Sequence, residues 1–190
     1  MKRSIFLTIG TIFFIFLGCK QQPEARKAVS QKSGAFIQKS IERNQKLKKQ
    51  EETLILKLIK NDSINTYLES GNGFWYSYTK KDSIPGPKAT YGDIVNFDYN
   101  LKHINGNTIY SKKELNNQNY AIDKEALFFG LREAVKLLQS GESATFIFPS
   151  QLGYGYYGDE KKIGSNVPLI SEVTVNSVSK IKKNLNNNKH

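Results

Sequence analysis

The chain has 190 residues, room for one globular core of ordinary size plus extensions, and its 28 lysines and arginines against 17 acidic residues give a net charge of +11. A single cysteine, Cys19, excludes an internal disulfide. The lysines are scattered apart from the tail KIKKNLNNNKH, so the excess charge reads as a solvated surface suited to an anionic membrane, not as a nucleic-acid stripe.

The first residues read MKRSIFLTIGTIFFIFLGCKQQ. Lys2 and Arg3 precede an apolar run from Ile5 to Leu17, the layout of a secretory signal peptide and too short to count on as a membrane span. The ending Leu17-Gly18-Cys19 resembles the lipobox of bacterial lipoproteins, although Phe16 is not the usual residue three before the cysteine. That resemblance implies that residues 1–18 are a signal peptide and that Cys19 is lipidated and becomes the mature N-terminus. An uncleaved anchor with an incidental cysteine is the alternative. Either way the remainder is expected in the cell envelope, tethered to a membrane and facing the periplasm, where a nucleic-acid partner is not expected. Without Lys2 and Arg3 the net charge falls from +11 to +9.

Residues 19–34 are polar and aperiodic, as in a flexible tether. Residues 35–69 form a helical lead-in: Phe36, Ile37 and Ile41 begin a stripe, Leu47 thinly continues it, and Leu54, Ile55, Leu58 and Ile59 strengthen it. Asp62 or Ser63 is predicted to cap a short second helix carrying Ile64, Tyr67 and Leu68. Leu47 is the sole apolar residue between Glu42 and Glu52, so the stripe reads as a packing or stalk surface ahead of a dimer seam. The lead-in is expected to be dispensable for the folding of residues 70–181.

After Gly71-Asn72-Gly73 the period changes to two. The predicted strands are FWYSYT, DIVNFDYNL (Val95, Phe97, Tyr99 and Leu101 on one face), NTIYS after the turn Asn105-Gly106, and NYAI. One helix comes next, with Asp123 as its cap, Leu127, Phe128, Leu131, Val135 and Leu138 as its buried stripe, and Gly141 as its stop. Then come ESATFIFP, a loop, and SEVTVNSVSKI. This is an α+β pattern: an antiparallel sheet of about five strands wrapped around one helix over 70–181, with a basic flexible tail at 182–190. The loop FPSQLGYGYYG carries three tyrosines on glycine hinges, and each tyrosine joins an apolar ring to a hydrogen-bonding tip. Tyr154, between two glycines, is the one hardest to read as mere packing. His103 and His190 lack catalytic partners, the serines show no nucleophile elbow, and no zinc set is in evidence, so neither a metal nor a cofactor is expected. Asp159-Glu160-Lys161-Lys162 reads as a solvated loop tip.

The order YGDIVNFDYNL, a turn at NG, GLREAVKLLQSGESATFIFP and SQLGYG resembles the FKBP-type peptidyl-prolyl isomerases over roughly 70–181. With the lipoprotein start and helical lead-in, it is similar to a lipoprotein branch of that family associated with gliding motility. Rotation about an X–Pro bond faces a barrier of roughly 18–20 kcal/mol but breaks no bond, so it needs no nucleophile. An apolar basin that binds the twisted amide better than either planar form suffices. The resemblance implies that Tyr99, Phe128 and Tyr154 act on the substrate, Phe128 through its backbone N–H and Tyr154 through its hydroxyl. It implies that Ile109, Tyr110, Tyr120, Leu127, Leu131, Ile163 and Ser171 line the basin. Leu131 stands where many members have tryptophan, Tyr110 replaces an aspartate, and Ser171 replaces an aromatic. Ile109, Leu127, Phe128 and Leu131 also read as ordinary core at their strand and helix spacing. The implied partners are proline-containing segments of exported proteins. Two functions stay open: an isomerase, or the same basin holding a partner with catalysis weak or lost.

Overall fold

The structure is a computed structural model that describes residues 30–84 and 86–180. Cys19, the 1–18 segment, most of the 19–34 tether and the 182–190 tail lie outside the described residues. Among the described residues no helix is long and apolar enough to cross a membrane. The chain divides into two compact units between Ile41 and Glu42. In the first, residues 30–41 are helical, with Phe36, Ile37 and Ile41 exposed. The second carries the rest of that helix and the whole sheet.

Helix α1 spans Ser30–Asn61, beginning five residues before the predicted start at Ala35. The later part of its stripe is used for packing. Ile55 is fully buried in a cluster with Trp75 and Ile147, and Leu58, Ile59, Tyr67 and Ile170 close around it. The expected second helix does not form. Asp62 instead accepts hydrogen bonds from the N–H groups of Ile64 and Asn65 and from the Tyr67 hydroxyl. A short acidic side chain that bonds nearby backbone competes with helix continuation, and here it ends α1.

Among the described residues the eight strands are β1 (Leu68–Glu69), β2 (Trp75–Lys80), β3 (Ile94–Tyr99), β4 (Leu101–His103), β5 (Thr108–Tyr110), β6 (Gln118–Ala121), β7 (Ser143–Phe148) and β8 (Leu169–Ser179). They form one antiparallel sheet in the order β1-β2-β7-β8-β3-β6, with β4 pairing both β8 and β5. The long β8 is the spine: Leu169, Ser171, Val173 and Val175 alternate onto its buried face, so strand period dictates which residues meet the core. The predicted strand DIVNFDYNL is broken at Asn100. There the Ser171 hydroxyl donates to the Asn100 carbonyl at 2.7 Å, and the Asn100 side-chain oxygen accepts from the Glu172 N–H at 2.8 Å.

Helix α2 (Lys112–Leu115) has no counterpart among the predicted elements, although Ser111 and Glu114 have capping-box spacing and do cap reciprocally. Helix α3 (Phe129–Leu137) lies on the core face and buries Leu131, Ala134 and Val135, with Leu138 at its C-terminal cap. Asp123 does not cap it. The helix begins only after Phe128, an extended residue with no side-chain cap, and Asp123 instead has φ +58° and pairs with Lys136 at 2.9 Å and Arg132 at 3.6 Å. The first turn of the helix is closely packed: a Cβ on Gly130 would lie 2.6 Å from the Phe148 ring and 2.9 Å from the Leu152 carbonyl. Leu127 and Phe128 thus precede the helix and sit half-buried at its mouth.

Candidate active site

The core face of the sheet, α3 and the loop after β7 bring nine of the ten predicted site residues into one cluster. Tyr99, Ile109, Tyr120, Leu131 and Ile163 are buried in it, and Tyr110, Leu127, Phe128 and Tyr154 are half-buried against it. The Phe128 ring lies 5.2 Å from that of Tyr154, tilted by 45°, and meets Phe148 edge-on at 5.6 Å. Such tilted and edge contacts suit aromatic quadrupoles. Tyr99 packs on Phe97 at 5.6 Å.

The tenth residue, Ser171, is on the same face of β8 but is fully buried, and its hydroxyl is committed to Asn100. It serves the break between β3 and β4. A cleft of about 690 Å³ runs along α1 beside Leu47, Thr53, Leu54 and Pro168 and includes none of these residues.

The tyrosine loop divides its labour. After the 3₁₀ turn Ser150–Leu152, Tyr154 turns inward, whereas Tyr156 and Tyr157 are exposed and touch each other edge-on at 5.4 Å. Burial, reinforced by the nearby Tyr99, Asp159 and Tyr110, pushes the Tyr154 phenol well above its ordinary value. Burial also raises Tyr99. Both are therefore hydrogen-bond donors at neutral pH. Among the described residues no hydrogen bond occupies the Tyr154 hydroxyl or the Phe128 N–H. The Tyr120 hydroxyl, by contrast, accepts from the Asp123 N–H at 3.1 Å.

Of the expected loop tip, Glu160, Lys161 and Lys162 are exposed, whereas Asp159 is half-buried and bonded inward. One Asp159 carboxylate oxygen accepts from the Tyr110 hydroxyl at 2.5 Å, and the other from the N–H groups of Ile163 at 2.7 Å and Lys161 at 3.0 Å. Partial burial works to raise its pKa, but these bonds outweigh it and hold it below the usual value. The bond to Asp159 holds Tyr110 above its own, so the pair stays as phenol and carboxylate across the neutral range. Lys162 lies beside the pair, with its ammonium 4.8 Å from the centre of the Tyr110 ring, 3.3 Å from the Ile109 carbonyl and paired with Glu114 at 2.5 Å. The signal that could have found Asp159 is Gly158, whose φ of +70° marks a tight turn aiming the next residue inward. A Cβ there would collide with the Ile163 carbonyl.

Comparison with known proteins bears on this arrangement. Residues 86–176 match the family model of the FKBP-type peptidyl-prolyl cis-trans isomerases. A probable FKBP-type peptidyl-prolyl cis-trans isomerase FkpA of Neisseria meningitidis serogroup B is 33% identical over 104 residues, which is 55% of this chain and 37% of that one. This chain thus spans little more than a third of that relative's length. In fold, it is similar to a peptidyl-prolyl cis-trans isomerase from Pseudomonas syringae pv. tomato, with a TM-score of 0.57 at 20% identity, over 72% of this chain and 96% of that one. It is also similar to FkpA from Escherichia coli, with a TM-score of 0.56 at 19% identity, over 94% and 82% of the two chains. The sheet packed on α3 and the matched span agree, and over residues 86–176 this chain carries a domain of the FKBP-type peptidyl-prolyl cis-trans isomerase family.

Proposed function

We propose that this chain is a peptidyl-prolyl cis/trans isomerase acting on proline-containing segments of exported proteins. The observation that carries the reading is the pairing of two unspent donors, the Tyr154 hydroxyl and the Phe128 N–H, at the edge of an apolar ring cluster. A proline ring would enter among Tyr99, Ile109, Leu131 and Ile163, and the two donors would hold the flanking carbonyls. Tyr120 and Leu127 would wall the hollow, and Asp159 would fix Tyr110 at its lip. Twisting an amide removes its resonance and lowers its charge separation, so an apolar site favours the twisted state over the planar ones. The barrier is lowered by differential binding with no covalent step.

The chain would be held in the cell envelope through lipid on Cys19, with the periplasm as its working compartment. The likeness to gliding-associated lipoproteins makes motility components its proposed clients. A Cys19→Ala chain should lose its acyl label and leave the membrane fraction. If it stays membrane-bound and labelled, the lipid-anchor reading is wrong.

Tyr154→Phe is the sharpest probe of the site. It keeps the ring against Phe128 and removes only the hydroxyl, so peptide binding should weaken by about 0.5–1.5 kcal/mol, the net worth of one neutral hydrogen bond, with the melting midpoint unchanged. Protease-coupled isomerisation and peptide titration measure both arms. Unaltered binding and turnover would remove Tyr154 from the mechanism. A parent chain that binds proline peptides without accelerating their isomerisation would establish the holding role instead.

A further inference from the structure

Glu51 is 4% exposed, although a carboxylate in that setting is costly unless its oxygens are satisfied. Both are. Oε2 accepts from the Ser150 N–H at 2.8 Å and Oε1 from the Ser150 hydroxyl at 2.6 Å. The position continues the α1 stripe, because Arg43, Leu47, Glu51 and Ile55 recur at four-residue spacing on one helix face. An apolar residue there would pack as Ile55 does. A buried carboxylate adds little stability over such packing, but it fixes a direction.

That direction leads to the site. Ser150 opens the turn that precedes Tyr154, and its carbonyl accepts from the N–H groups of both flanking glycines, Gly153 at 3.0 Å and Gly155 at 2.9 Å. The Gly155 carbonyl in turn accepts from the Asn166 N–H at 2.8 Å, closing the loop's far side. Two turns back on α1, the Arg43 guanidinium sits 5.9 Å over the Tyr156 ring as a second hold on the same loop. We infer that Glu51 is a positioning residue: through Ser150 it fixes the backbone on either side of Tyr154, making α1 part of the reacting apparatus. The inference deepens the isomerase reading and rests on it for its catalytic consequence.

The test uses the full chain in three variants. Glu51→Ala leaves the buried Ser150 N–H unpaired. Its kcat/KM on a proline peptide should fall about tenfold, and amide exchange at Gly155 and Asn166 should quicken by about the same factor, which is the size expected for one buried hydrogen-bond system. Glu51→Gln, which keeps an acceptor of the same shape, should recover most of both. Ile55→Ala is the control for plain destabilisation: it opens a cavity on the same helix away from the loop, so it should lower the melting midpoint at least as much while leaving kcat/KM and loop exchange at parent values below that midpoint. The inference is overturned if Glu51→Ala leaves exchange at Gly155 and Asn166 unchanged, or if Ile55→Ala alters loop and activity equally. A parent chain without isomerase activity would instead sink the functional proposal, and the exchange contrast would still decide whether Glu51 holds the loop.

Discussion

A chain shortened to begin at Ser70 should fail to melt cooperatively, contrary to the expectation that the helical lead-in is dispensable, although β2 to β8 and α3 would remain. The shortening removes Ile55 entirely from a cluster in which it is fully buried, along with half-buried Leu58, Ile59 and Tyr67, and leaves Trp75 and Ile147 facing water. At about 1.5–3 kcal/mol for one fully buried aliphatic side chain and less for each half-buried one, the loss is roughly 4–6 kcal/mol. That is comparable to the whole stability of a domain at the low end of the usual range of about 5–15 kcal/mol and a large share of it elsewhere. Losing Glu51 also strips the buried Ser150 N–H of its acceptor. A chain beginning at Glu42 keeps all of these groups and should melt like the parent. Urea titration followed by fluorescence of Trp75, the sole tryptophan, reads both. An unchanged midpoint for the Ser70 chain would mean that α1 only decorates the domain.

The packing of α1 also marks where the sequence was legible. Period-two alternation in IVNFDY and LISEVTVNSVS placed two of the main strands, because one face of each is the more buried. The stripe Leu131, Val135, Leu138 placed α3 for the same reason. The apolar run of SATFIF instead reflects burial on both faces, with Phe146 and Phe148 in the main core and Ile147 beside Ile55 and Trp75. What escaped were polar side chains whose partners are far along the chain. Glu51 interrupts an apolar stripe in composition yet continues it in space, since its carboxylate is satisfied by Ser150, 99 residues on. Asp123 has the chemistry of a helix cap but is drawn to Lys136 and Arg132, five residues before the helix begins after Phe128. Ser171 looks like a lost aromatic, but its hydroxyl closes the break at Asn100. Each is a tertiary contact overriding a local preference.

The same distinction governs the carboxylate that Tyr110 replaces. Asp159 already presents one beside Tyr110 from the loop after β7, bonded to the Tyr110 hydroxyl. Placing an aspartate at 110 should therefore weaken the site rather than restore it, because it deletes the donor and sets two carboxylates against each other. A hydrogen bond to a charged group is worth about 1.5–3 kcal/mol, so Tyr110→Phe should reduce kcat/KM by about ten- to a hundredfold, and Tyr110→Asp further. The pH dependence separates the two. In the parent the Asp159 pKa is depressed, so its contribution is complete above the ordinary aspartate range and is lost only as pH falls through the lowered value. Parent activity should thus be flat from neutral pH down to about 5, well above the ordinary aspartate value. In Tyr110→Asp, like-charge repulsion raises the carboxylates, so one takes up a proton as pH falls and the repulsion is relieved. That variant should gain activity on mild acidification while Tyr110→Phe stays level. A Tyr110→Asp chain that outpaces the parent at neutral pH with Asp159 intact would show that the tyrosine, not the aspartate, is the impairment.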